Sequence, residues 1–298
     1  MIAEELMTGD NRHITGKTRL VGLLGGDVRY SLSLRLHNRA FEALGLDWAY
    51  LPLPVSPDDP DRLGEAIYGL RAMNFVGANV TMPFKERVID YLDEITPAAR
   101  RMGAVNTILH QDDGRLIGGN TDSAGFLADL QAHSVCLAKR RVLVLGAGGA
   151  ARAVTHGIAE HGCRELVIVN RTAERAARLA AELTTLYPCQ TVSLAPWAER
   201  ARWSEPEALI INCTPVGMAG VRTPSGATTP WPGPIRADQV VADIVYAPVQ
   251  TPLLRSAARA GATTLNGLGM LIQQAALSFA WWTNQRPPIS QMQAALER

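Results

Sequence analysis

An excess of charge of either sign is missing from this sequence. Its 298 residues carry 29 Lys and Arg against 28 Asp and Glu, a formal net charge of +1, with no long block of one sign. Proteins of nucleic acids or membrane surfaces carry a basic excess, so neither partner is expected. Cysteine is scarce: Cys136, Cys163, Cys189 and Cys213 form no C-x-x-C pair and read as reduced thiols of a cytoplasmic protein. The six histidines, His13, His37, His110, His133, His156 and His161, fall into no ligand spacing such as H-E-x-x-H, so no metal is expected. No apolar run approaches the roughly 18 residues that span a bilayer. Glu4, Glu5 and Asp10 precede the first hydrophobic run, which is unlike a secretory signal. These absences leave a cytoplasmic protein acting on a small molecule, and an acidic one needs only a few local donors.

What is present is ample core material, 47% hydrophobic, in an alternation of strands and helices. Arg19–Gly25, Ala49–Val55 and Val76–Thr81 read as strands, with helices over Ser33–Leu44, stopped by Gly45, and Asp61–Met73. Pro83 fits the first turn of a helix over Phe84–Leu92, where its missing N–H is harmless. Val105–His110 and Arg115–Gly118, split by Asp112-Asp113-Gly114, predict a hairpin, and Asp122–His133 a helix. A second series follows: strands Arg141–Leu145, Glu165–Val169, Thr191–Leu194, Ala208–Asn212 and Val240–Val245, and helices Ala150–His161, Ala173–Leu186, Thr251–Ala260 and Leu268–Trp282. Thr223–Pro234 reads as a loop. The fold class is therefore α/β with mainly parallel sheets in two domains. The expected division is 1–127 plus 268–298 for a substrate-binding domain and 128–267 for a dinucleotide-binding domain, the last helices packing back on the first.

The strand Arg141–Leu145 runs into Gly146-Ala147-Gly148-Gly149-Ala150-Ala151 and then a helix, a G-x-G-x-x-A turn in strand–turn–helix context. Gly146 permits the tight turn, Gly148 lets backbone approach a pyrophosphate, and the helix N-terminus favours the negative charge. The next strand ends in Asn170-Arg171-Thr172, with Arg175 beyond. An acidic residue there would bind the ribose 2′-hydroxyl of NAD, and none is present. Arg171 and Arg175 suit a 2′-phosphate instead, so the cofactor reads as NADP(H).

Hydride transfer to a ketone needs a proton donor, because the carbonyl oxygen becomes an alkoxide. Lys85 follows a strand, within Asn79-Val80-Thr81-Met82-Pro83-Phe84-Lys85, and Asp122 opens a helix after Gly118-Gly119-Asn120-Thr121. A lysine beside an aspartate in a closing cleft can serve as acid and base.

Ser31-Leu32-Ser33, Gly77–Lys85, Gly103–Thr107, Gly119–Asp122, Gly146–Ala150, Asn170–Thr172, Asn212–Met218 and Gly267–Ala275 occur in order along the chain. As an ordered set they closely resemble the motifs of shikimate dehydrogenases. The resemblance implies a two-domain, Rossmann-containing oxidoreductase that reversibly reduces 3-dehydroshikimate to shikimate with NADPH, in the chorismate route to aromatic amino acids. It implies that Ser31 and Ser33 bind the substrate carboxylate, that Thr81, Asn106, Asp122 and Gln274 hold the ring hydroxyls, and that Tyr246 touches the substrate from the nucleotide domain. Lys85 would be the acid and base, with Asp122 beside it. Gly146, Ala147, Gly148, Gly149, Ala150, Asn170, Arg171, Thr172 and Arg175 would hold the cofactor, with Thr214, Ile244, Gly267 and Met270 near the nicotinamide. The family also suggests a homodimer, with a monomer open. Tyr30, Leu34 and Asn266 replace the usual His, Pro and Asp, which makes the carboxylate end the loosest part of the transfer. The alternatives are a dehydrogenase of quinate or aminoshikimate in the same family, another Rossmann enzyme such as a folate dehydrogenase, and a cofactor-binding regulator without catalysis. The last would be expected to lack Lys85 or Asp122, and the folate enzyme does not explain the pair.

Overall fold

The computed structural model describes residues 14–59, 61–221 and 226–297. Glu4, Glu5, Asp10, His13 and part of the 223–234 loop lie outside the described residues. The first series comprises β1 (Arg19–Gly25), α1 (Ser33–Ala43), β2 (Trp48–Pro54), α2 (Arg62–Ala72), β3 (Gly77–Val80), β4 (Glu94–Ile95), α3 (Pro97–Met102), β5 (Thr107–His110), β6 (Leu116–Gly119) and α4 (Asp122–Ala132). The second comprises β7 (Arg141–Leu145), α5 (Gly149–His161), β8 (Glu165–Asn170), α6 (Ala173–Leu186), β9 (Val192–Pro196), β10 (Leu209–Asn212), β11 (Val240–Asp243), α7 (Pro252–Arg259), β12 (Thr263–Leu265), α8 (Gly267–Thr283) and α9 (Ile289–Ala294).

Each series makes its own sheet. The first has the order β2-β1-β3-β5-β6-β4. Its β1 lies parallel to β2 and β3, and β5 turns antiparallel through the predicted hairpin. The second, β12-β11-β10-β7-β8-β9, is parallel throughout, and its strands read as unbroken apolar runs because helices cover both faces. Read from β7, this is the Rossmann order, and it reverses between β7 and β10. A crevice opens outside the strand ends at such a point.

Two helices join the sheets. Leu271, Ile272, Ala275, Phe279 and Trp282 of α8, with Met292 of α9, pack into the first sheet's core beside Val21, Leu36, Phe41 and Tyr50. The C-terminal helices thus return to the first sheet, as expected. Phe126 and Leu130 of α4 pack instead in the core of the second lobe, with Val144 of β7 and Val154 and Ile158 of α5. The expected division at residue 127 therefore falls inside one continuous helix. Gly125 lets α4 and α8 approach closely, since a Cβ there would stand 2.7 Å from the Gln274 nitrogen.

The helix expected over Phe84–Leu92 is a correction. Only a 3-10 turn over Arg87–Tyr91 forms, and Pro83 lies outside it, after a cis peptide bond. The cause is a tertiary hydrogen bond. The Lys85 carbonyl accepts from the Val105 N–H at 2.8 Å and so closes no helical turn. The short elements β4, α3, β12 and α9 were not anticipated, being two to six residues long. No helix among the described residues is long and apolar enough to cross a membrane.

Candidate active site

Lys85 is held by that turn, and Asp122 opens α4. The Lys85 Nζ donates to Asp122 Oδ2 at 2.5 Å, with side chains 15% and 5% exposed. The other carboxylate oxygen accepts from Asn106 Nδ2 at 2.8 Å, and the Asp122 N–H donates to Asn120 Oδ1 at 3.0 Å. A nearly buried carboxylate is thus met on both oxygens, one of them by an ammonium that still has cleft to face. That is the arrangement a proton-handling pair needs.

Asn106 is fully buried and organises the floor. Its amide has two hydrogens, taken by Asp122 Oδ1 and by Thr121 Oγ1 at 2.8 Å. Gln274 Oε1 at 3.4 Å is a longer third contact. Asn106 Oδ1 accepts from the Thr121 N–H and the Thr107 hydroxyl, at 2.8 and 2.9 Å. Below it lies a layer that sequence reasoning missed. Asn79 Nδ2 faces the Asn106 carbonyl, Thr107 Oγ1 and Ser278 Oγ, each at 3.1 Å, and Asn79 Oδ1 accepts from the Tyr50 hydroxyl at 2.8 Å. The available signal was polar residues interrupting the apolar runs of β3, β5 and α8.

Ser31 and Ser33 stand at the start of α1, where the Ser31 hydroxyl accepts from the Ser33 N–H at 3.3 Å. Tyr246, beyond β11, packs against the same core as Leu32 and Leu34 and reaches Ser31. Burial raises its phenol pKa, and a hydrogen bond with the Ser31 side chain opposes the rise. Leu34 fills core where the family has proline, and α1 begins at Ser33 regardless. Tyr30 is 72% exposed. Asn266 caps α8, accepting from the Leu268 N–H at 3.0 Å as an aspartate would. Thr81 follows β3, its N–H bonded to the Leu24 carbonyl.

On the second sheet, Gly146 has φ +124, which favours glycine, and Ala147 is buried under it. Gly149 abuts the first lobe: a Cβ there would stand 2.9 Å from the Lys85 Cβ. Around Gly148, by contrast, a Cβ would meet nothing within 4 Å, so no neighbouring protein atom demands that glycine. The N-terminus of α5, Gly149 and Ala150 included, has no side-chain cap. A backbone cradle with free N–H groups at the end of a 13-residue helix fits a diphosphate. Asn170 and Thr172 form the turn after β8, with Asn170 Nδ2 donating to the Thr172 carbonyl at 2.9 Å. Arg171 is exposed, and Arg175 pairs with Glu86 at 3.0 Å. Thr214 hangs on Asn212 Oδ1 through its N–H and hydroxyl, at 2.9 and 2.7 Å. Ile244, Gly267 and Met270 line one recess with Phe126 and Asp129, Gly267 lying against the Ile244 carbonyl. Burial pushes Asp243, at the end of β11, up to about 6, although Asn212, Val245 and Thr251 all donate to it.

Residues 23–108 match the family model for the shikimate dehydrogenase substrate binding domain, 128–201 that for shikimate / quinate 5-dehydrogenase, and 267–297 that for the shikimate 5′-dehydrogenase C-terminal domain. The chain is 47% identical to a shikimate dehydrogenase (NADP+) of Salinibacter ruber, over 94% of this chain and 97% of the relative. Among solved structures it resembles shikimate 5-dehydrogenase from Thermus thermophilus in complex with NADP(H) and shikimate, with a TM-score of 0.78, 37% identity and 94% and 99% coverage. It also resembles quinate dehydrogenase from Corynebacterium glutamicum in complex with NAD, with a TM-score of 0.83, 28% identity and 94% and 99% coverage.

Proposed function

This chain belongs to the shikimate dehydrogenase family, and from that premise we propose that it reversibly reduces 3-dehydroshikimate to shikimate with NADPH. The observation that carries the reading is that Lys85, paired with Asp122, lies directly against Gly149 of the glycine turn. NADPH, when bound, supplies the hydride. Gly146 to Ala150 hold its diphosphate, Asn170 to Thr172 and Arg175 its adenosine 2′-phosphate, and Thr214, Ile244, Gly267 and Met270 its nicotinamide half.

The residues of the first lobe do the rest. Ser31 and Ser33 take the substrate carboxylate, and Tyr246 touches the substrate from the nucleotide lobe. Thr81, Asn106, Asp122 and Gln274 pair with the ring hydroxyls, so an analogue lacking one leaves a buried partner unmet and is rejected. The Lys85 ammonium gives its proton to the carbonyl oxygen as that oxygen gains negative charge, and takes it back in the reverse direction. Asp122 holds the ammonium in place. The substrate lobe is residues 1–127 with 268–298, and the nucleotide lobe is 128–267. The four free thiols support a cytoplasmic location, with the enzyme a homodimer or monomer that sedimentation decides.

Purified protein assayed with shikimate and quinate, each against NADP and NAD, tests the reading through nicotinamide absorbance. Shikimate with NADP is the expected best pair. A preference for quinate with NAD would move the protein to the sister activity, and no turnover with any pair would leave the catalytically silent binder.

A further inference from the structure

The two lobes meet at a second charged point, directly after the catalytic lysine. Glu86 follows Lys85 on the substrate side, and Arg175 stands in the first turn of α6 on the nucleotide side. Arg175 Nη2 donates to Glu86 Oε1 at 3.0 Å, with side chains 46% and 32% exposed. Lys85 lies against Gly149. Consecutive residues of one turn thus touch the glycine cradle and the arginine beyond β8.

This pairing sets two demands on one guanidinium. A 2′-phosphate is a dianionic group with three acceptor oxygens, and Arg175 can offer it the full fork only by giving up the carboxylate of Glu86. An ion pair this exposed is weak and readily exchanged for a stronger acceptor. NAD(H) has a hydroxyl where NADP(H) has the phosphate, and makes no such demand.

We propose that Glu86 tunes cofactor specificity by competing with the 2′-phosphate for Arg175. This inference rests on the NADP(H) reading above. The carboxylate holds Arg175 across the cleft until the phosphate takes it, which lowers the affinity for the phosphorylated cofactor and eases its release.

The test is titration of the purified full chain with NADPH, NADH and 2′,5′-ADP, for wild type, Glu86→Gln, Arg175→Ala and the double variant. Glu86→Gln should tighten NADPH and 2′,5′-ADP by about two- to fivefold and leave NADH unchanged. On the Arg175→Ala background the same change should do nothing. Unchanged or weaker NADPH binding by Glu86→Gln would overturn the proposal. So would equal tightening of NADH, or a gain that persists without Arg175. Wild-type protein that neither binds NADPH nor oxidises shikimate would instead sink the functional reading beneath it.

Discussion

At Asp122, both carboxylate oxygens are taken by neighbouring side chains, whereas Arg171, past the end of β8, reaches solvent. The two ends of one cleft are built differently. The substrate end is a buried lattice in which each polar atom orients the next, from Tyr50 through Asn79 and Asn106 to Asp122 and Lys85. The nucleotide end is a backbone turn flanked by exposed charges. Buried groups left without partners are costly, while exposed charges are screened and replaceable. Substitutions should therefore do most damage at the first end and least at the second.

After Lys85 itself, the largest effect is expected at Asp122. Asp122→Asn removes the charge that holds Lys85 and should lower kcat by about a hundredfold or more, read by steady-state shikimate oxidation. A variant within a few fold of wild type would break the contrast.

Next comes Asp243, whose charged form burial disfavours. Its carboxyl sits at about 6 when folded against 3.8 as the ordinary value, so the folded state holds the extra proton between those pH values. Stability then falls as pH rises through that window, by up to about 3 kcal/mol. Denaturant unfolding of wild type and Asp243→Asn across the window should show their difference moving against wild type as pH rises. A difference independent of pH would contradict the assignment.

Asn106→Ala should rank third. It strips partners from the Thr121 N–H and Asp122 Oδ1, lowering unfolding stability by about 1–3 kcal/mol and raising KM for shikimate more than KM for NADP. Smallest is Arg171→Ala, which should weaken NADP by about tenfold and leave NAD untouched, measured by titration. A larger loss there than at Asn106 would invert the comparison.

The same contrast explains what could be read in advance. The nucleotide end is local in sequence: Gly146 to Ala151 and Asn170 to Arg175 each carry their chemistry within six residues, beside strands whose apolar runs are plain. The substrate end is assembled from afar. Asn106 meets Gln274 across 168 positions and Asn79 meets Ser278 across 199. No spacing rule encodes such a contact, so Lys85 and Asp122 could be singled out by residue type and only the resemblance to a family paired them with Asn106 and Gln274. The layer of Asn79, Thr107 and Ser278 beneath went unread. The lost helix at Phe84 has the same origin, since the Val105 N–H that captures the Lys85 carbonyl belongs to a distant segment.

The central claim is that Lys85 handles the proton while the glycine turn beside it holds the nucleotide. Lys85→Ala separates the two in one protein, assayed for shikimate oxidation and titrated with NADPH. Turnover should fall by about two to four orders of magnitude with NADPH affinity close to wild type. Full turnover in that variant would contradict the account.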